Sequence, residues 1–412
     1  MATRLVLCYV VVVAVATAAL VWAMSIKPDA LEPNVRVSVH QLQELGRRPQ
    51  VCGIPLWRID TFTDMLMLNV AMSADADHPV TAAMECRFFI DPSYDVYATT
   101  QVLIGDTDVA VDASGQPLDD VHFQSYGRYW HGLQTLLRPL LVIAPYSTLL
   151  VANGILLAVL IAVALTLMWR RCGRSVCVPT MVVLMAVMVP VVPLCLQLEV
   201  CFVLMSAGMI AVLTGGVSWQ RWTVVFFLIG ALTAYADLLT TPQLTLCIPL
   251  IAAFTRRDVR GSVAGVIGMS ASWAIGYVAF WLTKLPLAYW LAGVSLRDDF
   301  VANARVRSSI GLSRLFELMS ERAGWTIDNG QWGIWLLVVV AISVVAAQIV
   351  NRKSSNCQIN WLLVVAAIVP CWYMLMLQHS IIHYWFTWRA LAATALALWI
   401  NKNVKCKMEN GQ

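Results

Sequence analysis

Asp60 and Asp64 are the first residues of this chain with the means to do chemistry. They stand four apart, ahead of an apolar run over 65–70. On a helix they share one face, and Thr61 or Thr63 is a candidate cap for that helix. A carboxylate beside apolar surface holds its proton more tightly, which suits a general base. The same acids also fit an ordinary helix start, where the dipole favours negative charge.

A second cluster packs Tyr126, Arg128, Tyr129, Trp130, His131, Gln134 and Arg138 into one short stretch. Such donors and aromatic faces suit a sugar ring or a lipid phosphate. They also suit an interfacial aromatic belt with snorkelling Arg. A third cluster holds His379 and His383, four apart and able to share a helical face. The glutamate of a zincin motif is missing, because Ser380 follows His379. Anion binding by His379, His383 and Arg389, a metal site, and plain packing all stay open. Arg389 opens an apolar run with no acid near it in sequence, a costly place for a cation without an anionic contact.

Glu199, Asp237 and Lys284 fall at or in the ends of predicted spans, and intramembrane charge is functional by default. Asp237 precedes Thr240, Thr241 and the helix-breaking Pro242. Lys284 also reads as an interface anchor. Arg305 and Arg307 are further candidate phosphate partners.

The elements that must position these groups are membrane helices. The chain is 59% hydrophobic and 13% charged, a balance that excludes a soluble domain. Apolar runs fall at 5–24, 147–169, 176–196, 199–217, 222–240, 243–254, 262–283, 333–350, 359–377 and 388–400. The expected fold is an all-α polytopic membrane protein with about ten transmembrane helices. Its large first outer loop forms a small α or α+β domain, and interfacial helices accompany it. The expected organisation is an uncleaved anchor over 1–26, an extracytoplasmic loop domain over 27–140 and a transmembrane bundle over 141–283. A second outer loop over 284–332 has an apolar stripe at 313–322. C-terminal helices and a cytoplasmic tail occupy 333–412.

Lys and Arg set the orientation. With the N-terminus inside, the cytoplasmic turns hold Arg170, Arg171, Arg174, Arg221, Arg256, Arg257, Arg260, Arg352 and Lys353, and the tail holds Lys402, Lys405 and Lys407. The positive-inside rule favours this arrangement, with both termini cytoplasmic. All six histidines then lie outside, with every one of the 24 carboxylates except Asp258 and Glu409. The net charge of +4 is a topology signal and not a nucleic-acid footprint. Cys52 and Cys86 form an outer pair that an oxidising exterior permits to join or leaves reduced. Phosphate loops, Rossmann glycines, nucleophile elbows and metal-spaced cysteines are absent from the sequence.

Three motifs together resemble a known family. These are Thr63-Asp64 before its apolar run, Tyr129-Trp-His-Gly132 before the second span, and the late His-Ser-x-x-His-x-x-Phe-Thr-x-Arg ending at Arg389. They resemble bacterial membrane proteins of the glycosyltransferase C superfamily. The resemblance implies transfer of a sugar from a polyprenyl-phosphate carrier to a glycan or lipid acceptor at the extracytoplasmic face of the plasma membrane. It implies Asp64 as catalytic base, with Asp60 as substitute. The lipid phosphate then falls to some of Lys284, Arg305, Arg307, His379, His383 and Arg389. Tyr129, Trp130, His131, Arg138 and Asp237 complete the expected binding set. No resident cofactor is implied, and a divalent metal stays open. Two other readings remain: a transporter or flippase of lipid-linked glycans, with Glu199, Asp237 and Lys284 along its path, and a non-catalytic envelope assembly protein.

Overall fold

Helices dominate because apolar residues continue over long stretches without a breaker. The computed structural model describes residues 2–47, 49–51, 58–91, 93–108, 122–308 and 361–409. Cys52, the stripe over 313–322 and the run over 333–350 lie outside the described residues, as does the side chain of Arg307.

Helix α1 (Ala2–Met24) is one apolar run. Helix α2 (Pro28–Leu45) begins on a proline, whose missing N–H has no partner to lose in a first turn. It buries Leu31, Val35, Val39 and Leu42 at helical spacing. Next come α3 (Thr61–Met72), α4 (Pro79–Glu85), β1 (Phe88–Ile90), α5 (Val96–Leu103) and β2 (His122–Gln124). The two strands pair antiparallel, with Phe89 opposite Phe123, and α3 packs between α2 and α5.

Helix α6 (Gln134–Ile143) reverses the usual arrangement of a surface helix. Gln134 and Arg138 are buried with Leu137 and Leu141, whereas Leu136 and Ile143 are 63% and 78% exposed. The Arg138 guanidinium donates to the carbonyls of Ala23 (2.8 Å), Ile26 and Ala71. Ala23 and Ala71 belong to the last turns of α1 and α3, where carbonyls lack helical partners. One cation thus satisfies and neutralises the negative ends of two helices.

The bundle follows: α7 (Tyr146–Cys172), α8 (Arg174–Ala186), a 3-10 turn (Val189–Leu194), α9 (Leu196–Leu213), α10 (Trp219–Ala236), α11 (Pro242–Phe254) and α12 (Val263–Ala292). Then come α13 (Arg297–Ser308), α14 (Trp361–Leu375), α15 (Leu377–Ile382), α16 (Tyr384–Thr387) and α17 (Leu391–Glu409). Among the described residues, four helical segments are long and apolar enough to cross a membrane: Thr3–Met24, Tyr146–Cys172, Leu196–Leu213 and Val263–Ala292. The chain is accordingly a mostly helical membrane protein. Helix α11 is buried along its whole length and forms the centre.

Two predicted runs end elsewhere. The run over 176–196 stops at Ala186, because Pro190 and Pro193 carry the backbone into the 3-10 turn. The run over 262–283 continues through Lys284 and Pro286 to Ala292, where Gly293 (φ 67°) closes the helix. Lys284 therefore lies within a helix and not at its end.

Helices α10 and α12 touch backbone to backbone. A methyl group at Gly230 would overlap the carbonyl of Trp273, and one at Gly276 would overlap that of Phe227. Small residues at a crossing allow this close packing. The turns α7–α8, α9–α10 and α11–α12 meet at one end of the bundle. There the Arg257 N–H donates to Arg171 O (3.0 Å), and Arg256 donates to Val212 O (2.7 Å) and Gly215 O (3.1 Å).

Candidate functional site

A cavity of about 500 Å³ opens at the opposite end. Asp60 and Thr63 at the start of α3 reach it, together with Gln197 in the first turn of α9 and Thr240 between α10 and α11. Tyr126, Tyr129, Trp385 and Phe386 supply aromatic wall, and His379 and His383 complete the late side. Arg47 lines it too, held by Asp95 at 2.5 Å.

Asp60 is the N-cap of α3, a role the sequence reading gave to Thr61 or Thr63. Its carboxylate accepts from the Thr63 amide (3.2 Å), the Thr63 hydroxyl (2.8 Å) and the Trp385 indole N–H (3.2 Å). A carboxylate offers about four lone-pair positions, so one remains for a ligand. The indole bond ties α3 to the segment that carries both histidines.

Asp64 is placed differently. It is buried and does not line the cavity. It accepts from the Tyr146 hydroxyl, the amides of Leu196 (2.9 Å) and Gln197 (3.2 Å), and the Cys195 thiol (3.6 Å). The two amides are orphan donors in the first turn of α9, so Asp64 caps that helix from a distant part of the chain. Asp60 thus lines the open space, and Asp64, the base the resemblance implied, lies behind its wall.

Burial lifts the Asp64 carboxyl from 3.8 to about 6, against the pull of hydrogen bonds from Tyr146, Gln197 and Leu196, and Asp60 adds a further rise. Its folded affinity for the proton exceeds its unfolded affinity. The stability from protonated Asp64 is therefore fully present below 3.8 and is lost as pH rises through about 6. Two pKa units correspond to about 3 kcal/mol. We expect the thermal-unfolding advantage of wild type over Asp64→Asn in detergent to shrink by about that amount between about pH 4 and pH 7. A constant advantage would contradict this account of Asp64.

The aromatic cluster divides. Tyr126 and Tyr129 reach the cavity, and Trp130 and His131 do not. The Trp130 indole donates to Phe280 O (2.8 Å), deep against α12. His131 adopts a left-handed φ of 56°, and its ring packs beside Tyr126. Burial pushes its proton affinity well down, and the charges of Lys284 and Arg128 add to this. A neutral ring then donates from Nε2 to Tyr126 O (3.0 Å). Gly132 donates to Tyr235 O (2.8 Å) and lies so close to that ring that a Cβ would overlap it. Within the Tyr-Trp-His-Gly motif Trp130 and Gly132 pin the 27–140 region to the bundle, and Tyr129 lines the cavity.

Other expected contacts also become structural. Arg138 holds helix ends, as described above. Lys284 is buried; its ammonium donates to Tyr129 O and approaches the Cys86 thiol at 3.7 Å. It backs the wall without lining it. The Asp237 carboxylate accepts from the Thr240 amide (3.0 Å) and hydroxyl (2.5 Å) and so shapes the loop that presents Thr240. Glu199 is buried and accepts from Asn153. Arg305 is exposed on α13 and is not part of the lining.

The late cluster gives two residues to the wall. His379 and His383 share the expected face, with ring centroids 4.6 Å apart, and both reach the cavity. His379 donates to Leu239 O (2.8 Å), fixing a loop residue with a left-handed φ of 66°. Arg389 is buried behind them, donating to Trp385 O (2.9 Å) and Arg58 O (3.3 Å). Among the described residues, no three His, Cys, Asp or Glu side chains converge as metal ligands would.

Sequence reading missed Arg47, Thr63, Gln197 and Trp385 as wall residues. The only local signal was Trp385, two residues after His383. Comparison with protein-family models, curated proteins and solved structures finds no match for this chain.

Proposed function

We propose that the protein is a membrane glycosyltransferase. It takes a sugar from a polyprenyl-phosphate donor and transfers it to an envelope glycan or lipid acceptor. In this reading the chain spans a bacterial plasma membrane about ten times. The basic turns and both termini are cytoplasmic, and the cavity opens on the extracytoplasmic side. The observation that carries the reading is Asp60. It reaches one cavity together with two histidines and a set of aromatic faces, and one lone-pair position is free.

The chemistry asks for little else. The acceptor hydroxyl oxygen attacks the anomeric carbon and passes its proton to Asp60. The bond between that carbon and the phosphate oxygen breaks, and the lipid phosphate leaves with the electron pair. A carboxylate speeds the first part. Donors aimed at the leaving phosphate stabilise the charge it gains. His383 and Arg47 are the wall groups of suitable type, while the His379 N–H is committed to Leu239 O. The aromatic faces suit the apolar side of a sugar ring.

The transporter reading needs Glu199, Asp237 and Lys284 along a path. All three are instead buried and bonded within the protein, which favours the enzyme. The test is mass spectrometry of cell-envelope glycans with and without the gene. We expect one glycan species to disappear on deletion, to return with the wild-type gene and to stay absent with Asp60→Asn. A glycan profile unchanged by deletion would remove the proposal.

A further inference from the structure

The bundle end opposite the cavity carries charge that the site does not use. Arg170 and Arg171 close α7, Arg174 opens α8, and Arg257 and Arg260 stand in the turn between α11 and α12. All five are exposed. The fold brings them together. The Arg257 N–H donates to Arg171 O (3.0 Å), and its guanidinium lies over Gly173, so close that a methyl group there would overlap Nη2. The Cys177 thiol reaches Leu165 O (3.4 Å) and the Cys172 thiol reaches Ala252 O (3.5 Å), which fixes α8 against α7 and α7 against α11. The acid of the same turn, Asp258, is already engaged. Buried Arg256 donates to both its oxygens (2.9 and 2.7 Å). Among the described residues, none of the five exposed arginines makes an ion pair.

The surface beside these arginines is apolar. On α8, Arg174, Val178, Met181, Val182 and Met185 fall on one helical face. The four apolar side chains are 45–60% exposed. From Arg174 to Met185 the helix rises about 17 Å, and the hydrocarbon of one leaflet is about 15 Å deep. Trp169, also exposed, stands beside Arg170, as indoles do at a membrane surface.

We infer that this face is a binding site for an anionic phospholipid. The phosphate lies on Arg171, Arg174 and Arg257, and an acyl chain lies along the α8 stripe. Clustered guanidiniums without an acid repel one another, and phosphate oxygens suit their planar forks. Basic surfaces between membrane helices hold anionic headgroups in this way. The stripe favours a lipid over a soluble anion, because a free phosphate uses the cations alone. The inference stands apart from the glycosyl-transfer reading, since its site lies at the other end of the bundle from Asp60.

The test is native mass spectrometry of the full chain in detergent, titrated with phosphatidylglycerol or with phosphatidylcholine of matched acyl chains. Each cation near an anionic headgroup contributes about fivefold in affinity. We expect wild type to bind phosphatidylglycerol at least about tenfold more tightly than phosphatidylcholine. The triple variant Arg171→Gln, Arg174→Gln, Arg257→Gln should bring that ratio to within about twofold. Arg305→Gln, on α13, should leave it unchanged. Equal binding of the two lipids by wild type would overturn the inference. So would a folded triple variant that keeps the preference, an Arg305→Gln chain that loses it, or displacement of bound phosphatidylglycerol by an equal concentration of inorganic phosphate. The wild-type comparison needs no variant, and exposed positions disturb folding least.

Discussion

Asp60→Asn should lower glycan transfer by about 10²- to 10⁴-fold, the range for loss of a general base. The measurement is turnover by purified protein in nanodiscs, using the donor and acceptor that the glycan comparison identifies. Asparagine keeps the shape and can still accept from the Thr63 amide, so the α3 cap weakens by only about 1 kcal/mol or less. The amide nitrogen would face the Trp385 indole N–H that now donates to Asp60 Oδ2, so a moderate loss of about 1–3 kcal/mol is expected, smaller than that of Asp64→Asn. Asp64→Asn should show the opposite balance, with a large loss of stability and transfer reduced only in proportion to folded protein. Its carboxylate meets four donors, and an amide would turn its own N–H₂ towards some of them. If Asp60→Asn stays active and a folded Asp64→Asn chain is dead, the roles assigned to the two acids are reversed.

The second large effect concerns stability alone. Arg138→Met should destabilise the protein by about 3–5 kcal/mol, read from thermal unfolding in detergent. Two effects compete. Removing the guanidinium relieves the cost of a buried cation that has no carboxylate bonded to it. It also strands the carbonyls of Ile26 and Ala71, and leaves Ala23 O with only the Ile26 N–H at 3.3 Å. Each stranded buried acceptor costs about 1–3 kcal/mol, and the cation was already stabilised by two helix C-termini. The loss is therefore the larger effect. Arg138→Lys should recover only part of it, because one ammonium cannot hold the planar fork that reaches three carbonyls. Wild-type stability in Arg138→Met would show that these carbonyls find other donors.

Long apolar runs were legible because a spanning helix needs nothing beyond length and composition; α1, α7 and α12 start where the runs start. The ends of runs were harder. Lys284 reads as a boundary, yet α12 continues because its charge finds an inward partner in Tyr129 O, and no local pattern announces that partner. The two prolines after Ala186 were visible, but an apolar run does not say whether a proline kinks a helix or ends it. The site was legible by residue type and poorly legible by role. Spacing puts Asp60 and Asp64 on one face and leaves their order of depth open. That order is set by Leu196, Gln197 and Trp385, which are remote in sequence. The late histidines kept their expected place because a four-residue spacing is local. Trp130, His131 and Arg138 lie off the cavity, and a rich donor set serves a packing pin as well as it serves a ligand.

The reversed α6 bears on how the 27–140 region can be handled. Leu136, Leu140 and Ile143 point away from the protein, and Gln134 and Arg138 point in beside Leu137 and Leu141. Only a hydrocarbon-like surrounding rewards that polarity. Cut from its anchor and expressed as a secreted fragment, the region would carry a bare oily strip and leave Arg138 without Ala23 and Ile26. Clumping in buffer is the expected fate of such a fragment, and biochemistry on the cavity calls for the intact chain in lipid.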